Sequence, residues 1–241
     1  DENGAFRLTF EAIPDYDLPQ RFKPVFHYTV TASVTDISGE TQSGSQVVDV
    51  GYQSLYIKTE MPENLSISTN NTFSVTAENL NGQKLDTDIS VEVFQLQPPV
   101  RLMVERKWQQ PDTFLMRKEA FRETFPYRVY KNEDQPEHWI RANMMFVKTL
   151  SGKKDTMLTM EGLGSWQPGK YLVKLSAKDA FGEKVETKKY FTLYNRDDRR
   201  PPLPVYNFFV PLKDQAEPGE KAVFLIGTSA KNVQVLFEVQ H

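Results

Sequence analysis

The feature that most constrains this chain is a hairpin written twice. In KYLVKLSAKDAFGEKVETKKYFTL, from Lys170 to Leu193, Tyr171, Val173, Leu175 and Ala177 alternate with Lys170, Lys174, Ser176 and Lys178. That is the period-two pattern of a strand with one buried and one wet face, broken on the wet side only by Leu172. Asp179-Ala180-Phe181-Gly182 supplies a turn, because Asp bonds its own backbone and Gly takes positive φ; a second strand then runs from Val185 to Leu193. HYTVTASVTDISGETQSGSQVVDV, from His27 to Val50, repeats it about 143 residues earlier without a gap. Tyr28 matches Tyr171, Val30 matches Val173, Ser33 matches Ser176, Asp36 matches Asp179, Gly39 matches Gly182 and Glu40 matches Glu183. Unrelated hairpins share a pattern but have no reason to share turn chemistry as well, so the chain reads as an internal repeat of an all-β unit.

The rest of the chain divides around these copies. Ala5 to Phe10 alternates weakly and leads into a loop with Pro14, Pro19 and Pro24, so residues 1–52 read as the C-terminal half of a sandwich. Residues 53–195 read as a complete unit, with strands at Leu55 to Thr59, Asn71 to Glu78, Ile89 to Leu96, Asn143 to Leu150 and Asp155 to Met160, then the second hairpin. Between residues 98 and 142 alternation is lost for about 45 residues, too long for an ordinary loop in a compact domain. Inside that insertion Asp112 to Phe125 predicts a helix of about three turns, capped by Asp112 or Thr113, with Phe114, Phe121 and Phe125 on one stripe and Pro126 as its stop. Without the insertion the repeat is close to about 100 residues, the size of a seven-stranded antiparallel sandwich. Residues 196–204 form a proline-stiffened linker. Residues 205–241 read as the N-terminal half of a further unit, with strands at Tyr206 to Leu212, Lys221 to Thr228 and Val233 to Val239.

Composition removes several classes of function. The 241 residues carry a net charge of −3 and no clustered basic stripe, so nucleic acid is not an expected partner. No apolar run approaches the roughly 20 residues that span a bilayer. Asp1-Glu2-Asn3-Gly4 has neither the basic end nor the apolar centre of an export signal, as expected of a mature or excised piece. The absence of cysteine removes disulfides, thiolate nucleophiles and cysteine-based zinc sites from these residues.

Taken together, the Y-x-V-x-x-x-V/A-x-D-x-x-G-E hairpin, its Val48-Asp49-Val50-Gly51 exit, Pro218-Gly219-Glu220 before an early strand, and Pro111-Asp112, Phe114, Glu119-Ala120-Phe121, Phe125-Pro126, Tyr130 and Trp139 in order resemble the macroglobulin-like domains of bacterial alpha-2-macroglobulin family proteins. The resemblance covers nearly the whole chain. It implies tandem immunoglobulin-like, seven-stranded sandwiches within an exported envelope protein of the periplasm or cell surface that traps or blocks proteases. Neighbouring domains of the parent, and through them a protease, are the partners it implies. The thioester of some members needs a C-x-E-Q stretch, which cannot lie here without cysteine, so no site residue carries over. The expected role is a non-catalytic frame; the alternative is an adhesion or glycan-binding module.

Candidate chemistry is sparse. His27, His138 and His241 show no ligand spacing, so no metal site is assigned. Glu133, Asp134 and Glu137 suggest a carboxylate pair with Tyr127, Tyr130 and Trp139 as sugar platforms, or else an acidic loop whose aromatics pin the insertion to the sandwich. Neither Asp86 with Asp88 nor Asp197 with Asp198 has calcium-loop spacing. No G-x-S-x-G or phosphate-binding glycine loop is present, and no cofactor or catalytic residue is assigned. If the chain meets a partner through a loop, the insertion is the place, and Trp108, Tyr127, Tyr130 and Trp139 are the contact residues expected. The incomplete ends carry unpaired strand edges, from which strand exchange or self-association is expected.

Overall fold

The structure is a computed structural model that describes residues 7–69, 71–104, 106–107, 109–110, 112–152 and 157–239. Strands dominate it. The first hairpin is β1 (Val25–Thr35) paired antiparallel with β2 (Thr41–Gly51), in a register from Val25 opposite Gly51 to Thr35 opposite Thr41. The central unit holds β3 (Tyr56–Thr59), β4 (Asn64–Ser66), β5 (Asn71–Glu78), β6 (Ile89–Gln97), β7 (Ile140–Leu150), β8 (Met157–Met160), β9 (Gly169–Lys178) and β10 (Lys184–Tyr194). These form a five-stranded sheet in the order β4-β10-β9-β6-β7 and a three-stranded sheet in the order β3-β5-β8. At the C-terminal end β11 (Phe208–Lys213) pairs with β12 (Val223–Gly227).

One buried cluster joins the two central sheets. Ile57, Phe73, Val75, Ala77, Leu158 and Met160 come from the smaller sheet, and Val91, Val93, Tyr171, Val173, Phe191 and Leu193 from the larger. The alternation read along Tyr171 to Ala177 therefore points at this core. On the wet face Lys174 sits between Glu92 at 2.9 Å and Glu186 at 3.4 Å, cross-strand pairing that adds a few tenths of a kcal/mol at a partly exposed site, on the order of 0.5. Leu172, the exception on that face, is nevertheless buried although it lies outside the inter-sheet cluster.

Several elements differ from their sequence reading. The central unit has an eighth strand, β4, which runs parallel to β10 and buries Leu65. Three residues are too few to show a period. β7 starts at Ile140, three residues early, because the ladder continues to the pair Ile140 and Gln97 after irregularities near Phe94. The expected helix is only α1 (Lys118–Thr124), and Arg117 before it is extended at φ −69 and ψ 153 with no side-chain cap. Tertiary contacts take the segment that Asp112 and Thr113 were expected to start: the Phe114 ring packs 4.7 Å from Tyr130, and Tyr130 Oη donates to the Met116 carbonyl at 2.7 Å. Val233 to Val239 forms no strand and stays exposed, having no partner strand among the described residues. Residues 7–10 are likewise irregular, Ala5 and Phe6 lie outside the described residues, and of the strand expected from Asp155 only Met157–Met160 is described.

The two hairpins share their turn at atomic level. Asp36 and Asp179 close identical turns: the aspartate N–H donates to the carbonyl four residues on at 2.9 Å in both, and the glycine N–H returns to the aspartate carbonyl at 3.1 and 3.0 Å. Each aspartate Oδ1 also accepts from the backbone N–H two and four residues on. Gly39 and Gly182 both have φ +84, which a β-carbon would oppose. A third copy, Asn79 to Gln83, makes the same bonds with an asparagine and puts Gly82 at φ +78. One of these turns also anchors the joint between the first hairpin and the central unit, and another ties back to the start of that unit. Asn81 accepts from Asp49 N–H at 2.8 Å and donates to the Asp49 carbonyl at 3.1 Å, while Ser54 Oγ donates to Asp179 at 3.0 Å. Among the described residues no helix is long and apolar enough to cross a membrane.

Candidate functional site

The insertion leaves the sheet after Gln97 and returns at Ile140, residues that face each other across the β6–β7 ladder. Between them the chain carries little regular structure, so its backbone must be satisfied by side chains. Arginines do this. Arg101 donates to the carbonyls of Pro126 at 2.8 Å and Arg128 at 3.0 Å, and Arg106 reaches those of Val129 at 3.0 Å and Tyr130 at 3.1 Å. Val104 N–H adds a bond to the Tyr127 carbonyl at 2.7 Å.

Glu133 is the centre of the arrangement. Its Oε2 accepts from Arg101 at 2.7 Å and from Tyr130 N–H at 3.1 Å, and its Oε1 from Arg122 at 2.7 Å with Lys118 at 3.3 Å. The side chain is 13% exposed. Burial pushes the carboxyl up, but the Tyr130 N–H and the charges of Arg122, Arg101 and Lys118 outweigh it and hold the pKa at about 2. A carboxyl so firmly ionised is no proton donor at neutral pH, so Glu133 does not suit the general-acid role of a glycosidase-type pair. Asp134 and Glu137 remain exposed on the surface.

An acid titration follows from this geometry. The folded pKa lies below the ordinary 4.5, so the stabilisation is complete above about pH 4.5 and is lost as the pH falls toward about 2. The full shift would be worth about 3 kcal/mol, and solvent around the half-exposed Lys118 and Arg122 reduces it to roughly 1–2 kcal/mol. Protection of the amides of residues 126–139 against hydrogen exchange, taken relative to the intrinsic rate at each pH, should fall within that window while the β9–β10 amides stay protected. Unchanged protection of the insertion down to pH 2 would contradict the assignment.

Each expected contact residue has a definite place except Trp108, which lies outside the described residues. Tyr130 is packed between Phe114 and Phe121, at 4.7 and 5.2 Å, and is not a surface platform. Trp139 is half-buried and its indole N–H donates to the Glu133 carbonyl at 2.8 Å, so it staples the acidic loop. Tyr127 alone presents its ring outward, 57% exposed. His27 Nδ1 lies 2.6 Å from Asp49 Oδ1 and His138 Nε2 3.1 Å from Asn132, while His241 lies outside the described residues. Asp198 bonds Asn195 at 2.9 Å within the linker.

The structure brings Tyr127 and Trp139 to an open cleft of about 950 Å³ between the base of the insertion and α1. Four cations, Arg101, Lys118, Arg122 and Lys131, line it with the single carboxylate of Glu133. The sequence reading passed over these cations. Lys118 and Arg122 did carry a signal, since a spacing of four residues places both on one side of a helix. No family model matches this chain, and no curated protein matches it.

Proposed function

We propose that this chain is a non-catalytic segment of an alpha-2-macroglobulin-like cell-envelope protein, a frame on which the parent traps or inhibits proteases. In this reading residues 53–195 are a complete macroglobulin-like, immunoglobulin-like sandwich, residues 1–52 and 205–241 are halves of its neighbours, and the parent is exported to the periplasm or cell surface. The observation that carries it is the recurring turn. Asp36 to Glu40 and Asp179 to Glu183 close their hairpins with the same backbone and carboxylate bonds, as tandem copies of one domain type would. The joint supports it further, because Asn81 spends its side-chain bonds on Asp49 of the first hairpin, holding one unit against the next. A carboxylate saturated by cations at the insertion favours structure over acid–base chemistry.

The test uses the full-length parent with an endoprotease. The protease should lose activity on a large protein substrate and keep it on a small chromogenic one, since a trap excludes by size. Equal activity on the large substrate with and without the parent would refute the frame. A glycan-binding adhesion module is the second reading, favoured by the outward ring of Tyr127; it requires that Tyr127→Ala abolish binding to a glycan array.

A further inference from the structure

We propose that the cleft at the base of the insertion is a docking site for an extended acidic segment of a partner polypeptide, which adds to the edge of β7 and places its carboxylates among the cleft cations. This goes beyond the frame role and does not depend on it.

Charge is the first argument. Arg101, Lys118, Arg122 and Lys131 face one resident carboxylate, Glu133, in a chain whose overall charge is −3. The local sign is opposite to that of the molecule, so an anionic segment is drawn to this cleft and repelled from the rest. Arg101 is committed to the Pro126 and Arg128 carbonyls and to Glu133, and it holds the floor. Arg122 and Lys118 are 46% and 43% exposed, and the hydrogen bond that each spends on Glu133 leaves N–H groups facing solvent. Lys131 is exposed above the Phe114 ring at 5.4 Å.

Backbone geometry selects a polypeptide over other anions. In the five-stranded sheet β7 is a terminal strand, paired with β6 on one side and with no strand on the other among the described residues. The strand begins at Ile140, a residue of the cleft wall, so its unpaired edge starts beside the cleft. An extended peptide satisfies such an edge by hydrogen bonding along it, which a sugar or a free anion does not. Apolar groups complete the surface: Val100, Tyr127 and Ile140 around the cleft are 99%, 57% and 67% exposed, and Met144 and Val147 farther along β7 are 57% and 61% exposed. Cations beside exposed apolar side chains along a strand edge match a segment that alternates acidic and apolar residues, because alternate side chains of an added strand fall on the same face.

Fluorescence anisotropy of a labelled peptide of alternating glutamate and leucine, titrated with the whole chain, tests this. Binding is expected to weaken at least about tenfold when glutamate is replaced by glutamine, and to fall with rising salt. Lys131→Glu should weaken it by about tenfold with no change in thermal unfolding, since Lys131 takes no part in holding Glu133. A proline substituted in the middle of the peptide should also weaken it, because proline removes an N–H from the added strand. Equal affinity for the glutamate and glutamine peptides, indifference to Lys131→Glu in a chain that unfolds at the same temperature, or indifference to the proline would each overturn the proposal. Tighter binding of polygalacturonate than of the peptide would overturn the choice of a polypeptide.

Discussion

Glu133→Ala should release the insertion from the sandwich while the two-sheet core stays folded. The carboxylate is the only group shown accepting from Arg101, Arg122 and Lys118 together, and its removal leaves the partly buried Arg101 among carbonyls without a counter-charge. Stranding one partner of such a cluster costs on the order of 3 kcal/mol. Among its described residues, regular structure in the insertion amounts to one seven-residue helix, one 3-10 turn, Pro136–His138, and a single bridge between Val104 and Arg128, so little remains to hold it. Trypsin should then cut within residues 98–139 far faster than in the parent chain, while the core retains its urea midpoint. Equal resistance to cleavage would show that the arginine-to-carbonyl bonds hold the insertion without the carboxylate.

Phe191→Ala should have the larger global effect. Phe191 is fully buried on β10 and stacks on Tyr171 at 5.2 Å with 13° between the rings, and Tyr171 in turn lies 5.2 Å from Trp166. Deleting the ring opens a cavity between the sheets and costs about 3–5 kcal/mol. A substantial fall in the urea midpoint with an unchanged m-value is expected. Loss of less than about 1 kcal/mol would mean that the inter-sheet space closes over the gap, against the packing described.

These effects fall in the two regions that the amino-acid order revealed unequally. The sandwich was legible because one face of β5, β6 and β9 is buried: Tyr171, Val173, Leu175 and Ala177 carry that pattern, and all four sit in the inter-sheet core. Even the misfit Leu172 was a signal, since it is buried outside that core. β4 escaped because pairing with β10 fixes it and only Leu65 points inward. The insertion was legible as a place but not as a structure. Its order comes from long-range bonds between arginines and carbonyls, as with Arg101 and Arg128, and such bonds leave no period in a sequence. Of the aromatics expected as a contact surface, Tyr130 packs against Phe114 and Trp139 bonds the Glu133 carbonyl at the wall of the open cleft, where the neighbouring cations gather. Helix propensity misled at Asp112 to Arg117, where Tyr130 competes for the Met116 carbonyl.

The facing pair Gln97 and Ile140 has one more consequence. Opposed residues of an antiparallel ladder stand only about 5 Å apart, so a tight two-residue loop could join them as readily as the present excursion does. To the rest of the sandwich, whatever hangs from that doorway is interchangeable. A lineage could swap, lengthen or discard the appendage there and acquire a new specificity, leaving the hydrophobic interior untouched.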